Sequence, residues 1–204
     1  ESDGDRLVKW VRGYNKDGST KKEWLLGAID HSIPALLTPP PSTPFWYFSD
    51  EVTEEEKALY DQFTESKNYK EGRTPVANAR PTVIFVGSRS GMLHAFDAGE
   101  FRWGDNPATP LPLVEHRGYF AGNNYGTGKE LWAFIPTNLM PRFKNNFLND
   151  EDQAYMDASP AIADIYTGTA WKSVLLSAQG NGGDTIFCLD IQFQECRLLP
   201  LQWF

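Results

Sequence analysis

Two stretches of this chain carry strand-forming segments in the same order. "DHSIPALL" at 30–37 is echoed by "DASPAIAD" at 157–164, and "VIFVGSRSGMLHAFD" at 83–97 by "VLLSAQGNGGDTIFCLD" at 174–190. "ELWAFIP" at 130–136 is echoed by "PLQWF" at 200–204. A unit of four antiparallel strands with apolar residues on both faces cannot bury itself, so a repeat of such units implies sheets stacked against one another. This order predicts an all-β chain: a partial β-propeller of about two four-stranded blades, with helical and loop insertions.

The single domain 1–204 then divides into blade-like units at 25–136 and 155–204. A propeller repeat runs to about 40–50 residues, so the second unit fits and the first is swollen by insertions at 50–80 and 99–126. In the first unit "TVIFVG" (82–87), the turn "SRSG" and "MLHAFD" (92–97) read as a hairpin, and the Thr-Gly turn before the next strand arrives only at Thr127. Thr53 with Glu56 has the form of a capping box, and Leu59 and Phe63 share a face, so a surface helix of about three turns is read within 52–72, followed by a polar loop to Arg80. Residues 99–126 are rich in Gly, Asn and Pro without a period and read as an insertion loop. Their Trp103, Tyr119, Phe120 and Tyr125 are the candidate interaction surface, because aromatic rings dominate binding hot spots. The competing reading has these rings cover the edge of their own sheet.

Elsewhere, 5–13 reads as a short amphipathic helix closed by Gly13, "NKDGSTKKE" (15–23) as turns, and the Pro-punctuated 24–41 as an edge-type strand. "TNLMPRFKNNF" (137–147) reads as a short helical turn with Pro141 near its start.

The composition narrows the partners. Lys plus Arg number 19 against 27 Asp plus Glu, a net charge of −8 without a basic cluster, which argues against nucleic acid or anionic lipid as partner. No apolar run approaches the roughly 18 residues that span a bilayer, and the first residues lack the features of a secretion signal. Seven Trp, eight Tyr and thirteen Phe beside 17 Gly and 14 Pro favour short strands and tight turns over long helices. Cys188 and Cys196 could staple a hairpin or stand as two thiols, and their spacing leaves both readings open.

No catalytic, cofactor-binding or metal-binding residue is named from the sequence. His94 beside Phe96 on a strand reads as a packed or rim residue, and His31 and His116 are not at metal-ligand spacing. Asp97 and Asp190 end equivalent strands and read as caps of the following turns. "GNGG" at 180–183 lies between strands and reads as a hairpin turn. A Gly-x-Ser-x-Gly elbow and adjacent cysteines are both absent.

"LVKWVRG" (7–13), "LGAIDHSIP" (26–34), "VIFVGSRSGMLHAFDA" (83–98), "GKELWAFIP" (128–136), "MDASP" (156–160) and "WKSVLLSAQGNGGDTIFCLDI" (171–191) appear in the order of a known family. Together they resemble the C-terminal propeller of the PilC/PilY-type tip adhesins of type IV pili, built on quinoprotein-like repeats. In such repeats a Trp docks between neighbouring sheets; here it sits one place early, at Trp132. The resemblance implies a non-enzymatic, secreted protein at the bacterial cell surface, pilus tip or outer membrane, acting in adhesion, pilus assembly and twitching motility. It implies minor pilins, a surface or host receptor and the remaining blades of the same polypeptide as partners.

The chain also departs from that family. Some members carry Arg-Gly-Asp where this chain has Arg12-Gly13-Tyr14, so integrin recognition does not carry over. "SDGD" and "NKDGST" lack the alternating acids of a calcium loop and read as turns; calcium, if bound, belongs elsewhere in a full-length protein. The alternatives are a quinoprotein dehydrogenase propeller holding pyrroloquinoline quinone and calcium, and an outer-membrane assembly scaffold. Two blades cannot close a ring, so the chain is expected to be part of a longer polypeptide.

Overall fold

The computed structural model describes residues 2–41, 43–67, 79–104, 106, 118–149, 155–191 and 197–199, the last of these by backbone alone. Helix α1 (Asp3–Val11) begins at Ser2, whose hydroxyl accepts the Asp5 N–H while the Asp5 carboxylate takes the Ser2 N–H, a capping box. Gly13, at φ +89°, follows the C-cap Arg12 in the left-handed conformation that Gly adopts without strain. In α2 (Glu54–Lys67) Thr53 and Glu56 cap each other in the same way as at Ser2.

The described strands, in chain order, are β1 (Ala35–Leu37), β2 (Val83–Gly87), β3 (Leu93–Asp97), β4 (Phe101–Trp103), β5 (Gly118–Phe120), β6 (Glu130–Phe134), β7 (Ala161–Tyr166), β8 (Trp171–Ala178), β9 (Ile186–Asp190) and β10 (Arg197–Leu199). They form two four-stranded antiparallel sheets, β1-β2-β3-β6 and β7-β8-β9-β10, and a two-stranded ribbon, β4-β5. In each large sheet the strands lie side by side in the order in which the chain makes them.

Strand alternation places Leu37, Val83, Phe85, Leu93 and Ala95 on one face of the first sheet, and Leu175, Phe187 and Leu189 on one face of the second. These faces close on each other as one core, with Met156 at the join. Trp132 packs there on Phe85 at 5.5 Å between ring centres, and Phe134 reaches across to Phe187 at 5.0 Å. The sheets approach closely at Gly87, where an added Cβ would stand 2.0 Å from the Met156 carbonyl oxygen. Beside this pair, α3 (Met140–Asn149) sets Phe143 against α1, and Trp10 meets Phe147 edge-on at 5.9 Å.

The structure corrects four expectations. The edge strand over 24–41 shrinks to Ala35–Leu37, because Pro34 and Pro39 to Pro41 remove backbone donors on both sides of it. The loop over 99–126 contains the β4-β5 ribbon and a 3₁₀ turn at Ala121–Asn123. The helical turn at 137–147 is a 3₁₀ turn running into the ten-residue α3, because Leu139, Phe143 and Phe147 repeat every four residues and bury one face. The fourth strand of the second sheet lies at 197–199; the segment 200–204 expected to form it is outside the described residues, as are Cys196 and His116.

Candidate interaction surface

One of the two long departures from the repeat leaves the first sheet at the end of β3 and returns at β6, and one carboxylate closes it. Asp97 accepts the Gly99 N–H at 3.0 Å where the segment begins, and the Thr127 N–H at 2.9 Å and hydroxyl at 2.7 Å where it ends. The Thr127 hydroxyl, and after it the Thr127 and Gly99 N–H groups, hold the Asp97 carboxyl below its usual range. The capping role expected for Asp97 is thus a closing role as well: it ties both ends of the excursion to one strand end.

Between those ends, β4 and β5 pair Phe101 with Phe120, Arg102 with Tyr119 and Trp103 with Gly118. Phe101 packs edge-on against Trp103 at 5.0 Å and against Phe120 at 5.8 Å, and Phe120 meets Tyr125 at 4.9 Å. The ribbon is fastened to the first sheet by the Phe101 N–H donating to the Thr82 hydroxyl and by the Trp103 indole N–H donating to the Pro39 carbonyl at 2.7 Å.

Trp103 and Tyr125 remain 48% and 67% exposed, so fastening and mutual packing leave much of both rings in water. Trp103, Phe120 and Tyr125 therefore form one run through Phe101. Tyr119, opposite Arg102, lies on the other face of the ribbon and takes no part in it.

A second aromatic group, which the sequence reading missed, joins the α2 segment to the second sheet. Trp46 stacks on Trp171 at 4.9 Å with rings 8° from parallel, and Tyr60 stands edge-on to both. Tyr60 is buried, donates to the Pro41 carbonyl, and has its phenol pKa pushed up by that burial. Phe45 and Phe48, flanking this cluster, are 95% and 76% exposed. The run "FWYF" after Pro44 was the available signal.

His94 is buried between two polar partners, with Nε2 2.9 Å from the Ser88 hydroxyl and Nδ1 2.5 Å from a Glu130 carboxylate oxygen. The order Ser-His-Glu resembles that of hydrolytic triads, but Ser88 is fully buried and its hydroxyl also bonds Ser90, so this oxygen is closed to a substrate. His94 is packed, as the sequence indicates. His31 sits 3.1 Å from Asp157, and "GNGG" forms a 3₁₀ turn whose Asn181 donates twice to the same carboxylate. In "SDGD" Asp5 caps α1, and in "NKDGST" Asp17 accepts from Ser19. Among the described residues no cluster of three or more His, Cys, Asp or Glu is arranged to hold a metal ion, and no helix is long and apolar enough to cross a membrane.

No family model matches the chain. It is 27% identical over 196 residues to the type IV pilus biogenesis factor PilY1 of Pseudomonas aeruginosa strain UCBPP-PA14, covering 94% of this chain and 13% of that protein. It is 34% identical over 131 residues to a PilY1 homolog of Xylella fastidiosa, covering 63% of this chain and 8% of the relative. Of solved structures, the crystal structure of the Pseudomonas aeruginosa PilY1 C-terminal domain aligns with 69% of this chain and 20% of its own, at 26% identity and a TM-score of 0.40. The chain is thus similar in sequence to PilY1-type pilus biogenesis factors, and it spans a small part of the length of the relatives it matches.

Proposed function

We propose that this chain is part of a type IV pilus-associated surface protein that supports pilus assembly, adhesion and twitching motility without catalysing a reaction. The observation that carries the reading is similarity to a pilus biogenesis factor along 94% of the chain. In this reading the two four-stranded sheets are neighbouring blades of a C-terminal propeller, and the rigid sheet pair is a platform. The partner-specific surface lies on the excursions at 50–80 and 99–126, with Trp103, Phe120 and Tyr125 as the contact rings and Tyr119 on the reverse of the same ribbon. Minor pilins, a surface receptor and the remaining blades of the polypeptide are the partners, and the protein acts at the cell surface or pilus tip.

Support for the platform comes from the fastening of the ribbon at Thr82, Pro39 and Asp97, which holds exposed rings in one place. Rings held in advance lose less conformational freedom on binding. The test is deletion of 99–126, joining Ala98 to Thr127, in the full protein in its own host. The expected result is normal protein level with loss of piliation or surface attachment. Unchanged piliation, attachment and twitching would overturn the assignment of partner contacts to this excursion.

A further inference from the structure

A cavity of about 610 Å³ lies between α1, the turn after it, the β3-β6 edge of the first sheet and α3. That volume is in the range of sites for small organic ligands. Its apolar wall includes Trp10, Leu25, Ile135 and Phe143. Its ionisable groups are Arg12, Lys22, Glu130 and His94.

The charges on this wall do not balance. The Glu130 carboxylate is already committed to His94, whose other nitrogen is on Ser88. Lys22 and Arg12 have no carboxylate within ion-pair distance among the described residues, and the Lys22 amine instead lies 4.2 Å from the centre of the Trp10 ring. Burial, and then the nearby Lys16 charge, push the Lys22 pKa below that of an ordinary lysine. A cation with a desolvated face and no counter-charge is stabilised by an arriving anion.

The adjoining apolar wall asks for a ligand with an apolar body, and Glu130 on the same wall disfavours a dianion. We propose that this cavity binds a monoanionic amphiphile, an apolar chain ended by a carboxylate, with the chain against Trp10, Leu25, Ile135 and Phe143 and the carboxylate met by Lys22 and Arg12. This site is independent of the aromatic ribbon and of the pilus reading.

The chemistry has two sources, a fatty acid and an apolar protein C-terminus. The test is calorimetric titration of the full natural protein with laurate, with dodecanol and dodecylammonium as neutral and cationic controls. A second arm uses a short peptide ending in Leu-Phe with a free carboxylate, and its amide. Laurate or the peptide acid is expected to bind about tenfold or more tighter than its uncharged counterpart. The tighter of the two acids identifies the source.

Lys22→Met should weaken the acid by about tenfold while leaving dodecanol unchanged, and Lys22→Arg should restore it. Arg12→Gln, at an exposed position where folding is not at stake, should weaken the acid in the same direction. Binding of neither acid, equal affinity for acid and uncharged analogue, or indifference to Arg12→Gln together with a folded Lys22→Met would overturn the proposal.

Discussion

The Ile33 N–H donates to the Ser159 hydroxyl at 2.9 Å across 126 residues of sequence. Two further bonds share that offset: His31 Nδ1 to Asp157 at 3.1 Å, and the Ser32 hydroxyl to the Ala158 carbonyl at 3.1 Å. The two segments that echo each other in sequence therefore lie side by side, and the bonds between them join one sheet to the next. Ser32 also accepts the Gly87 N–H, and Met156 donates to the Ser88 carbonyl, so the join runs from the segment just before β1 to the β2-β3 hairpin beside it.

Asp157 is the centre of that join. Burial alone would raise its pKa, but the Asn181 N–H, the His31 ring and the Asn181 amide outweigh it and hold the carboxyl below its usual range. Asp157→Ala removes the buried acceptor of three donors. A loss of about 2–3 kcal/mol is expected in chemical denaturation of the full protein, for bonds to a charged, buried group. A midpoint shift near zero would mean that the join is held by apolar packing alone.

Acid should open the ribbon before it unfolds the sheets. The Asp97 pKa is lowered in the folded protein, so its contribution is complete above the unfolded carboxylate value of about 3.9 and is lost as pH falls through the lower folded value. Asp97→Asn should cost about 1 kcal/mol at neutral pH, a modest figure because the group is partly exposed. The gap between the two proteins should shrink toward zero in acid. Amide exchange at Gly99 and Thr127 reports it directly; equal protection in both proteins at neutral pH would contradict the closing role of Asp97.

Much of this architecture was legible because its determinants are local. The strands 83–87 and 93–97 are apolar runs around a Ser-Gly turn in which Gly91 takes φ +86°, and the caps at Thr53 and Gly13 sit where the residues alone put them. The ribbon was not legible, because residues 104–117 separate β4 from β5 and their pairing rests on contacts made at a distance: Phe101 with Phe120, Trp103 with Pro39. The Trp46–Trp171 stack is hidden for the same reason, as each ring's environment is supplied by the other. At the candidate surface, Trp103 and Tyr125 keep much of their rings in water. That Tyr119 faces away is a matter of register, which periodicity could not reveal in a segment without a period.

A buried ion pair links the ends of both sheets. Arg80, 5% exposed, bonds the Thr38 carbonyl through Nε at 2.6 Å, and through Nη1 reaches Asp164 at 2.5 Å and the Ser173 hydroxyl at 2.7 Å. Arg80→Met should cost about 3–5 kcal/mol, because it leaves the Asp164 carboxylate largely buried without its cation. The double variant Arg80→Met/Asp164→Leu should recover most of that loss, since removing both charges avoids the stranded one. A double variant no better than the single would locate the cost in the Thr38 and Ser173 bonds instead.

The outward face of the second sheet yields the last prediction. Ala161, Leu176 and Cys188 stand opposite one another across β7, β8 and β9, with Ile165 and Ile186 on the same face, and Leu176, Ile165 and Ile186 are 47%, 38% and 55% exposed. Aliphatic side chains grouped on one sheet face are the surface that a further sheet covers in a stacked-blade architecture. Residues 1–204 expressed alone should therefore self-associate, and Leu176→Lys with Ile186→Lys should raise the monomer fraction in sedimentation velocity. In the full protein the same pair should do the opposite of help: each lysine would enter an apolar interface, costing more than the roughly 1–3 kcal/mol of an unpaired buried hydroxyl or amide and lowering the melting temperature. A cooperatively melting, monodisperse monomer of 1–204, or a full protein indifferent to both lysines, would show that this face meets water in the native state and that no further blade lies against it.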